Sequence, residues 1–172
     1  VEGKACHCQR RTPESRIKHY TLERTQFIPR PRTEVFAFFS NASNLERITP
    51  DFLSFRIVTP LPIDIREGTL IDYRLRLFGI PFSWRTRISV FEPESRFVDE
   101  QLKGPYKLWR HLHEFESVEG GTRMRDRVDY AIPLGPLGAL ARELFVTRMV
   151  EQIFDYRFRT IAELMGSKAD AA

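Results

Sequence analysis

The sequence has no apolar run approaching the roughly 18 residues at which a membrane-spanning helix is indicated. It also has no signal-like apolar segment near its start, so we expect neither a membrane span nor export, and a cytoplasmic location. Only two cysteines occur in 172 residues, which fits a reducing compartment. There is no P-loop, dinucleotide-binding or nucleophile motif, and the sequence therefore indicates no cofactor.

The basic charge of the chain is concentrated near its N-terminus. Residues 1–33 carry eight Lys and Arg against three Asp and Glu, whereas the rest of the chain carries 19 against 20. The neutral remainder offers no electrostatic footprint for phosphates, so we expect no nucleic-acid partner. We expect a flexible basic leader at residues 1–16, a single domain at 17–166 and a short tail at 167–172.

The leader contains both cysteines, in the segment Cys6-His7-Cys8. A closed zinc site needs four ligands, usually from two separated pairs, and the sequence has no second cysteine pair. A disulfide between residues two apart would be strained. We therefore expect a flexible leader with exposed thiols, and its role stays open.

The pattern of apolar residues and turn signals predicts an α+β fold. Thr33–Phe39 and Leu45–Ile48 predict two short helices, and residues 137–165 predict a long C-terminal helix that ends at Gly166. Short connections between the strands indicate antiparallel hairpins, with the helices on one face of the sheet. The predicted strands are His19–Ile28, Phe52–Val58, Thr69–Phe78, Phe82–Phe91, Arg96–Leu102, Lys107–Glu119 and Thr122–Ile132.

Turn signals predict which residues face each other in neighbouring strands. Gly120–Gly121, taken as a two-residue turn, pairs His111 with Tyr130. A three-residue turn at 104–106 pairs Asp99 with His111. In this register, His111 lies between Asp99 and Tyr130 on the inner face of the sheet.

The outer face is predicted to carry opposite charges on neighbouring strands. A turn at Gly79–Ile80 pairs Leu75 with Trp84 on the inner face and Asp72 with Arg87 on the outer face. We interpret the outer arginines as part of a solvated face and not as a basic patch. These arginines are Arg85, Arg87, Arg110, Arg123, Arg125 and Arg127.

The inner face is predicted to be aromatic with several polar groups, which is unusual for a sheet that packs on a helix. Each polar group buried without a partner would cost roughly 1–3 kcal/mol. Either these groups satisfy one another or they line a cavity whose aromatic walls bind a ligand. The predicted ligand-binding residues are Tyr73, Phe82, Trp84, Phe97, Asp99, Gln101, Trp109, His111, His113, Phe115, Asp126 and Tyr130.

Four stretches carry a resemblance to a known superfamily. They are Phe97–Tyr106, Trp109–Phe115, Asp126–Tyr130 and Pro133–Gly138. Together they resemble the SRPBCC superfamily, also called START-like or Bet v 1-like, and within it the bacterial ligand-binding branch grouped with polyketide cyclase/dehydrase and lipid-transport proteins. The resemblance covers about residues 19–166.

The resemblance implies the helix-grip fold, in which a curved seven-stranded antiparallel sheet wraps round a long C-terminal helix. Two short helices after the first strand would support one end, and a cavity would lie between the sheet and the long helix. The segments Pro60–Gly68 and Pro133–Gly138 would frame its mouth. Leu137, Leu140, Leu144 and Met149 would then be cavity-wall candidates, although plain core packing explains each of them equally well.

Two functions follow for such a cavity. The first is binding or transport of a small hydrophobic or amphipathic molecule, such as a lipid, polyketide or isoprenoid-like compound, whose polar end Asp99, His111 and Tyr130 would orient. The second is a polyketide cyclase or dehydratase, which needs a proton acceptor and a donor for a developing enolate. Asp99 would then fix the tautomer of the catalytic base His111, Tyr130 would donate, and His113 with Asp126 would form a second pair.

Further alternatives concern the surface and a metal. The domain would be a protein-interaction module if its outer surface and basic leader engage an acidic partner, and a homodimer stays open. His111, His113 and Asp126 could bind a metal, but the two histidines alternate along one strand with Cα atoms about 6.6 Å apart. We therefore expect no metal.

Overall fold

The computed structural model describes residues 18–77, 79–132 and 139–166, with side chains from Phe145 onward in the last range. The predicted leader with its Cys6-His7-Cys8 segment, the Pro133–Gly138 segment and the tail at 167–172 lie outside the described residues. Within the described residues, no helix combines the length and apolar character needed to cross a membrane.

The described residues fold into one antiparallel sheet, two α-helices and two short 3₁₀ turns, so the α+β prediction is confirmed. Helix α1 spans Arg32–Phe39 and helix α2 spans Ala139–Met165, and the 3₁₀ turns span Ala42–Asn44 and Asp51–Leu53. The strands are β1 His19–Ile28, β2 Arg56–Ile57, β3 Leu70–Leu77, β4 Ile80–Glu92, β5 Arg96–Lys103, β6 Leu108–Val118 and β7 Gly121–Ala131.

The seven strands are arranged in the order β1-β7-β6-β5-β4-β3-β2, and every neighbouring pair is antiparallel. The pairing of β4 with β5 is interrupted by two register shifts, and such irregularities bend a sheet. Helix α2 is held against β1 by an ion pair of 2.9 Å between Arg24 and Asp155 and by a hydrogen bond from Gln26 Nε2 to the Phe158 carbonyl. This arrangement is the helix-grip architecture.

Helix α1 closes one end of the space between the sheet and α2. Its Val35 and Phe36 are buried in a core cluster with Phe97, Phe115 and Ile161. The Phe36 ring lies 5.4 Å from that of Phe115 and nearly perpendicular to it, which is a favourable aromatic arrangement. The packed end positions the inner face of β5 and β6 for the site described below.

The predicted register of β6 against β7 is wrong by two residues. Val118 pairs with Gly121, so the two turn residues are Glu119 and Gly120. Gly120 supplies the positive φ of 76° that the turn uses. Gly121 belongs to β7 for a packing reason, since a Cβ there would collide with the Ile28 carbonyl oxygen on β1.

The same two-residue difference occurs between β3 and β4, where Leu75 pairs with Phe82 and Tyr73 with Trp84. Because a shift of two keeps every side chain on its face, the predicted inner and outer faces are unchanged. The predicted strand Phe52–Val58 is also corrected. It begins in a 3₁₀ turn, and only Arg56–Ile57 pairs with β3.

The outer face carries ion pairs between neighbouring strands, in agreement with the interpretation as a solvated face. Asp72 accepts two hydrogen bonds from Arg85, at 2.7 and 2.9 Å. Arg125 donates to both Glu23 and Glu114. All six arginines predicted there have an acidic partner within 4.0 Å.

Candidate functional site

A cavity of about 160 Å³ lies between the inner face of β3–β6, the segment around and after α1, and helix α2. It is partly open to solvent, and most of its lining side chains are apolar. Seven of the residues predicted from the sequence line it. These are Tyr73, Trp84, Phe97, Asp99, Trp109, His111 and His113.

Three aromatic rings form one wall of the cavity. The Trp84 ring lies 5.3 Å from that of Trp109 at 88°, and Tyr106 lies 4.7 Å from Trp109 and 5.7 Å from Trp84. The indole N–H of Trp84 donates to the Thr86 hydroxyl at 2.9 Å. The polar atom of Trp84 is therefore satisfied within the protein, which leaves its ring for apolar contact with a ligand.

Four ionisable side chains, here called the His–Asp cluster, lie together beside this wall: Asp99, His111, His113 and Asp126. His111 and His113 alternate along β6 and therefore share its inner face. Asp99 on β5 pairs with His111, and Asp126 on β7 pairs with His113. Three antiparallel strands thus bring the four groups together.

Each imidazole of the cluster lies between the two carboxylates. Asp99 Oδ2 is 3.5 Å from His111 Nδ1 and 3.3 Å from His113 Nε2. On the other side, Asp126 Oδ1 is 3.3 Å from His111 Nε2 and 2.6 Å from His113 Nδ1. The contacts to Asp126 are at ion-pair distance but outside hydrogen-bond geometry, and the three atoms that make them are buried.

Aromatic rings enclose both histidines. Phe97 stacks on His113 with ring centroids 4.2 Å apart, and Phe154 of α2 meets His111 edge-on at 5.2 Å. His111 and His113 are only 4% and 5% exposed. The charges of the cluster therefore interact in a medium where water screens them weakly.

Burial and neighbouring charges shift the pKa values of the cluster in opposite directions. Burial raises the pKa of Asp99 and Asp126, but the two histidines outweigh it and the net pKa of each carboxyl is lowered. Burial lowers the pKa of His113, but Asp126 and Asp99 outweigh it and the net pKa is raised. The pKa of His111 is lowered, first by burial and then by His113.

Arg157 of α2 also lines the cavity, and the sequence analysis missed it. The residue is 8% exposed, and its guanidinium lies 5.1 Å from the centre of the Phe154 ring. Among the described residues, no carboxylate lies within 4.0 Å of its nitrogens, and its Nε has no hydrogen-bond partner. The sequence does contain a signal for Arg157, because this charged residue occupies a position of the apolar stripe of α2 between Phe154 and Ile161.

The structure also corrects the predicted role of Tyr130. Its partner across the sheet is Trp109 and not His111, because of the register difference described above. Its hydroxyl donates to Thr147 Oγ1 on α2 at 3.3 Å, and its ring stacks on Tyr20. Tyr130 is buried in the core and is not among the residues that line the cavity.

Several other predicted ligand-binding residues do not line the cavity. Phe115 and Met149 are buried, Phe82 is half-buried near the start of β4, and Gln101 donates to the Tyr106 carbonyl at 2.8 Å. Asp126 lies behind the two histidines. The side chains of Leu140 and Leu144, like residue 137, lie outside the described residues.

The segment around and after α1 supplies lining residues that the sequence analysis did not select. They are Phe38, Phe39, Asn41, Ala42, Asn44, Leu45, Ile48, Thr49, Leu53 and Phe55. The apolar residues of this set lie close together in the sequence. However, only the way the segment crosses the open end of the sheet shows that they face the cavity.

Solved structures share this fold at low sequence identity. The Zhui aromatase/cyclase from Streptomyces sp. R1128 is 15% identical, with a TM-score of 0.68 over 90% of this chain and 98% of that chain. The protein TTHA0849 from Thermus thermophilus is 19% identical, with a TM-score of 0.66 over 87% and 100%. Ara h 8.0201 is 16% identical, with a TM-score of 0.61 over 88% and 100%. These likenesses define the class of fold, which is SRPBCC or Bet v 1-like.

The sequence itself points to a narrower group within that class. Residues 28–160 match the model of the family described as polyketide cyclase/dehydrase and lipid transport. The chain therefore belongs to the polyketide cyclase/dehydrase and lipid transport family. No curated protein sequence matches the chain significantly.

Proposed function

We propose that the chain binds a small hydrophobic or amphipathic molecule in its cavity, with an apolar ring against the aromatic wall and a polar end near Arg157 and Asp99. The observation that carries this proposal is the cavity itself, which combines apolar walls with a few convergent polar groups. That combination is typical of sites for small organic ligands.

The volume favours a compact ligand. A cavity of about 150 Å³ lined by aliphatic and aromatic side chains accepts one benzene ring in an engineered protein. The cavity here, of about 160 Å³, has room for a similar buried part, and its opening lets the rest of a ligand extend outward. A ring-containing polyketide or isoprenoid-like compound fits this better than a long acyl chain.

The charge of Arg157 favours an acidic or enolic polar end. A buried guanidinium without a described ion pair gains from a ligand oxygen that carries negative charge. Arg157 takes the orienting role that the sequence analysis gave to Tyr130. Among the polar groups that line the cavity, Asp99 and His111 can accept hydrogen bonds from a hydroxyl at the same end of the ligand, while Arg157 pairs with its charged oxygen.

A cyclase or dehydratase reaction is the second candidate. Two observations favour it: His111 and Asp99 are adjacent in the cavity, and proteins named aromatase/cyclase share the fold. In that case a poly-β-keto compound would enter the cavity, His111 would accept a proton beside a carbonyl, and Arg157 would stabilise the enolate. The experiment below separates the two candidates.

The chain offers a direct reporter of cavity binding, because its two tryptophans, Trp84 and Trp109, both line the cavity. We expect the neutral probe N-phenyl-1-naphthylamine to bind with one site per chain and to quench tryptophan fluorescence by energy transfer. Trp109→Ala should weaken probe binding by removing part of the wall. Phe27→Ala, which removes an exposed ring on β1, should leave it unchanged.

Native mass spectrometry of the protein from its own host then identifies any bound compound. A compound that displaces the probe and is recovered unaltered supports binding, whereas a cyclised or dehydrated product supports the second candidate. A protein that is empty and takes up no probe contradicts both candidates.

A further inference from the structure

We propose that Asp99, His111 and His113 bind a divalent metal ion of the zinc type at the wall of the cavity. The site goes beyond the binding of an organic ligand and does not depend on it. Each of the three residues offers one ligand atom, and these atoms all lie within 4.8 Å of one another. Two imidazoles and one carboxylate are a common set of ligands for zinc that carries out chemistry.

The two separations that join Asp99 to the histidine nitrogens fit a tetrahedral ion. Zinc bonds of about 2.0–2.1 Å at tetrahedral angles place ligand atoms about 3.3–3.4 Å apart. Asp99 Oδ2 lies 3.5 Å from His111 Nδ1 and 3.3 Å from His113 Nε2. The two imidazole rings already converge, with centroids 3.8 Å apart. Rotation of the two imidazole side chains would bring the third pair of ligand atoms, the nitrogens of His111 and His113, to the same spacing, from at most 4.8 Å apart.

Asp126 provides the outer carboxylate that such sites require. A histidine that binds a metal through one nitrogen usually donates its other N–H to a carboxylate or carbonyl. Asp126 Oδ1 lies 3.3 Å from His111 Nε2 and 2.6 Å from His113 Nδ1, the two nitrogens that face away from Asp99. One carboxylate thus orients both imidazoles from behind, and it does not line the cavity.

The charges of the cluster also fit a divalent cation. With both imidazoles neutral, as metal ligands must be, Asp99 and Asp126 leave two negative charges in a buried site. A divalent ion would balance the two carboxylates, and Arg157 adds one further positive charge at the same cavity. The three ligands all line the cavity, so a fourth coordination position would face a molecule bound there. In the metal-bound protein, His111 is a ligand and not a base, and the ion would polarise a ligand carbonyl.

A test has to separate this site from the leader, because Cys6, His7 and Cys8 can themselves bind zinc. The starting protein is therefore the full chain with Cys6→Ser, His7→Ala and Cys8→Ser, stripped with a chelator and free of affinity tags. This variant keeps three histidines, of which His19 is exposed at the start of β1 and provides an internal control.

We expect this variant to bind one Zn²⁺ per chain in a calorimetric titration. With Co²⁺, it should show the strong visible absorption of a tetrahedral complex. His111→Ala and Asp99→Asn should abolish both signals, and Asp126→Asn should weaken binding by about 10–100-fold. His19→Ala should leave binding unchanged.

The histidine ring signals in NMR spectra provide a readout that does not depend on folding of the buried variants. On addition of Zn²⁺ to the starting protein, the signals of His111 and His113 should shift and those of His19 should not. Absence of one-to-one binding, or binding that leaves the signals of His111 and His113 in place, would overturn the proposal and leave the cluster as an ion-pair network. Uptake of the neutral probe by the metal-free protein is measured separately, so failure of the metal site and failure of the proposed function are distinguishable.

Discussion

Acidic and basic side chains meet on both faces of the sheet at similar distances but in different surroundings. On the outer face, Arg85 lies 2.7 Å from Asp72, and both side chains are more than a third exposed. On the inner face, His113 lies 2.6 Å from Asp126, and both side chains are less than a tenth exposed. The comparison separates the effect of distance from the effect of burial.

An exposed ion pair contributes little because water already solvates both charges and salt screens them. A buried pair loses that solvation, so each charge depends on all of its remaining partners. Replacing a buried ion pair by well-packed apolar residues of similar volume is often neutral or stabilising in proteins. The His–Asp cluster is therefore not explained by stability alone, whereas the outer ion pairs fit strand pairing and solubility.

The largest expected effect on stability comes from removing one charge of the His–Asp cluster. Asp126→Ala leaves both imidazoles without the carboxylate behind them, and we expect the free energy of unfolding of the metal-free protein to fall by about 3–5 kcal/mol. The measurement is urea unfolding followed by tryptophan fluorescence. The matched change on the outer face is Asp72→Ala, which should have a much smaller effect. Equal effects of the two changes would contradict the comparison.

The sequence was sufficient to predict the two faces of the sheet and the register of β5 against β6, but not the registers of β3 against β4 and of β6 against β7. Strand β1 was predicted to the residue, and the inner and outer sets follow from the alternation of side chains. Gly120 and Gly121 look equivalent in the sequence, yet one supplies a positive φ and the other makes room for the Ile28 carbonyl. The second requirement comes from β1, about 90 residues earlier in the chain, and no local pattern reveals it.

The sequence likewise predicted part of the candidate site. Asp99 and His111 were predicted to be paired because the 104–106 turn was placed correctly. The close approach of the His111 and His113 rings was not predicted, because a Cα spacing of about 6.6 Å does not determine how the two side chains are oriented. Arg157 was missed because only the apolar members of its helix were considered as lining residues.

A smaller effect, on ligand affinity, is expected from Arg157→Met, which replaces a buried charge with an apolar side chain. The affinity for the anionic probe 8-anilino-1-naphthalenesulfonate should fall by about 10–100-fold, the value of one charge-assisted hydrogen bond. The affinity for the neutral N-phenyl-1-naphthylamine should not change, and the stability of the protein should stay the same or rise. Fluorescence titrations with both probes test this. An equal loss of affinity for the two probes would show that Arg157 contributes by packing against the ligand and not by its charge.

The smallest effect is expected on the outer face, where acid should remove the contribution of Asp72 to the stability of the protein. The hydrogen bonds from Arg85 lower the pKa of Asp72 below its ordinary value of 3.8, and this effect outweighs that of burial, which raises the pKa. A lowered folded-state pKa means that the contribution of Asp72 is present above about pH 4 and is lost as the pH falls through the folded value. Wild type should therefore be slightly more stable than Asp72→Asn at about pH 6, and the difference should shrink as the pH falls below about 4 and in high salt. Thermal unfolding across this pH range measures the difference. A difference that grows in acid would contradict the assignment of Asp72 as a charged partner of Arg85.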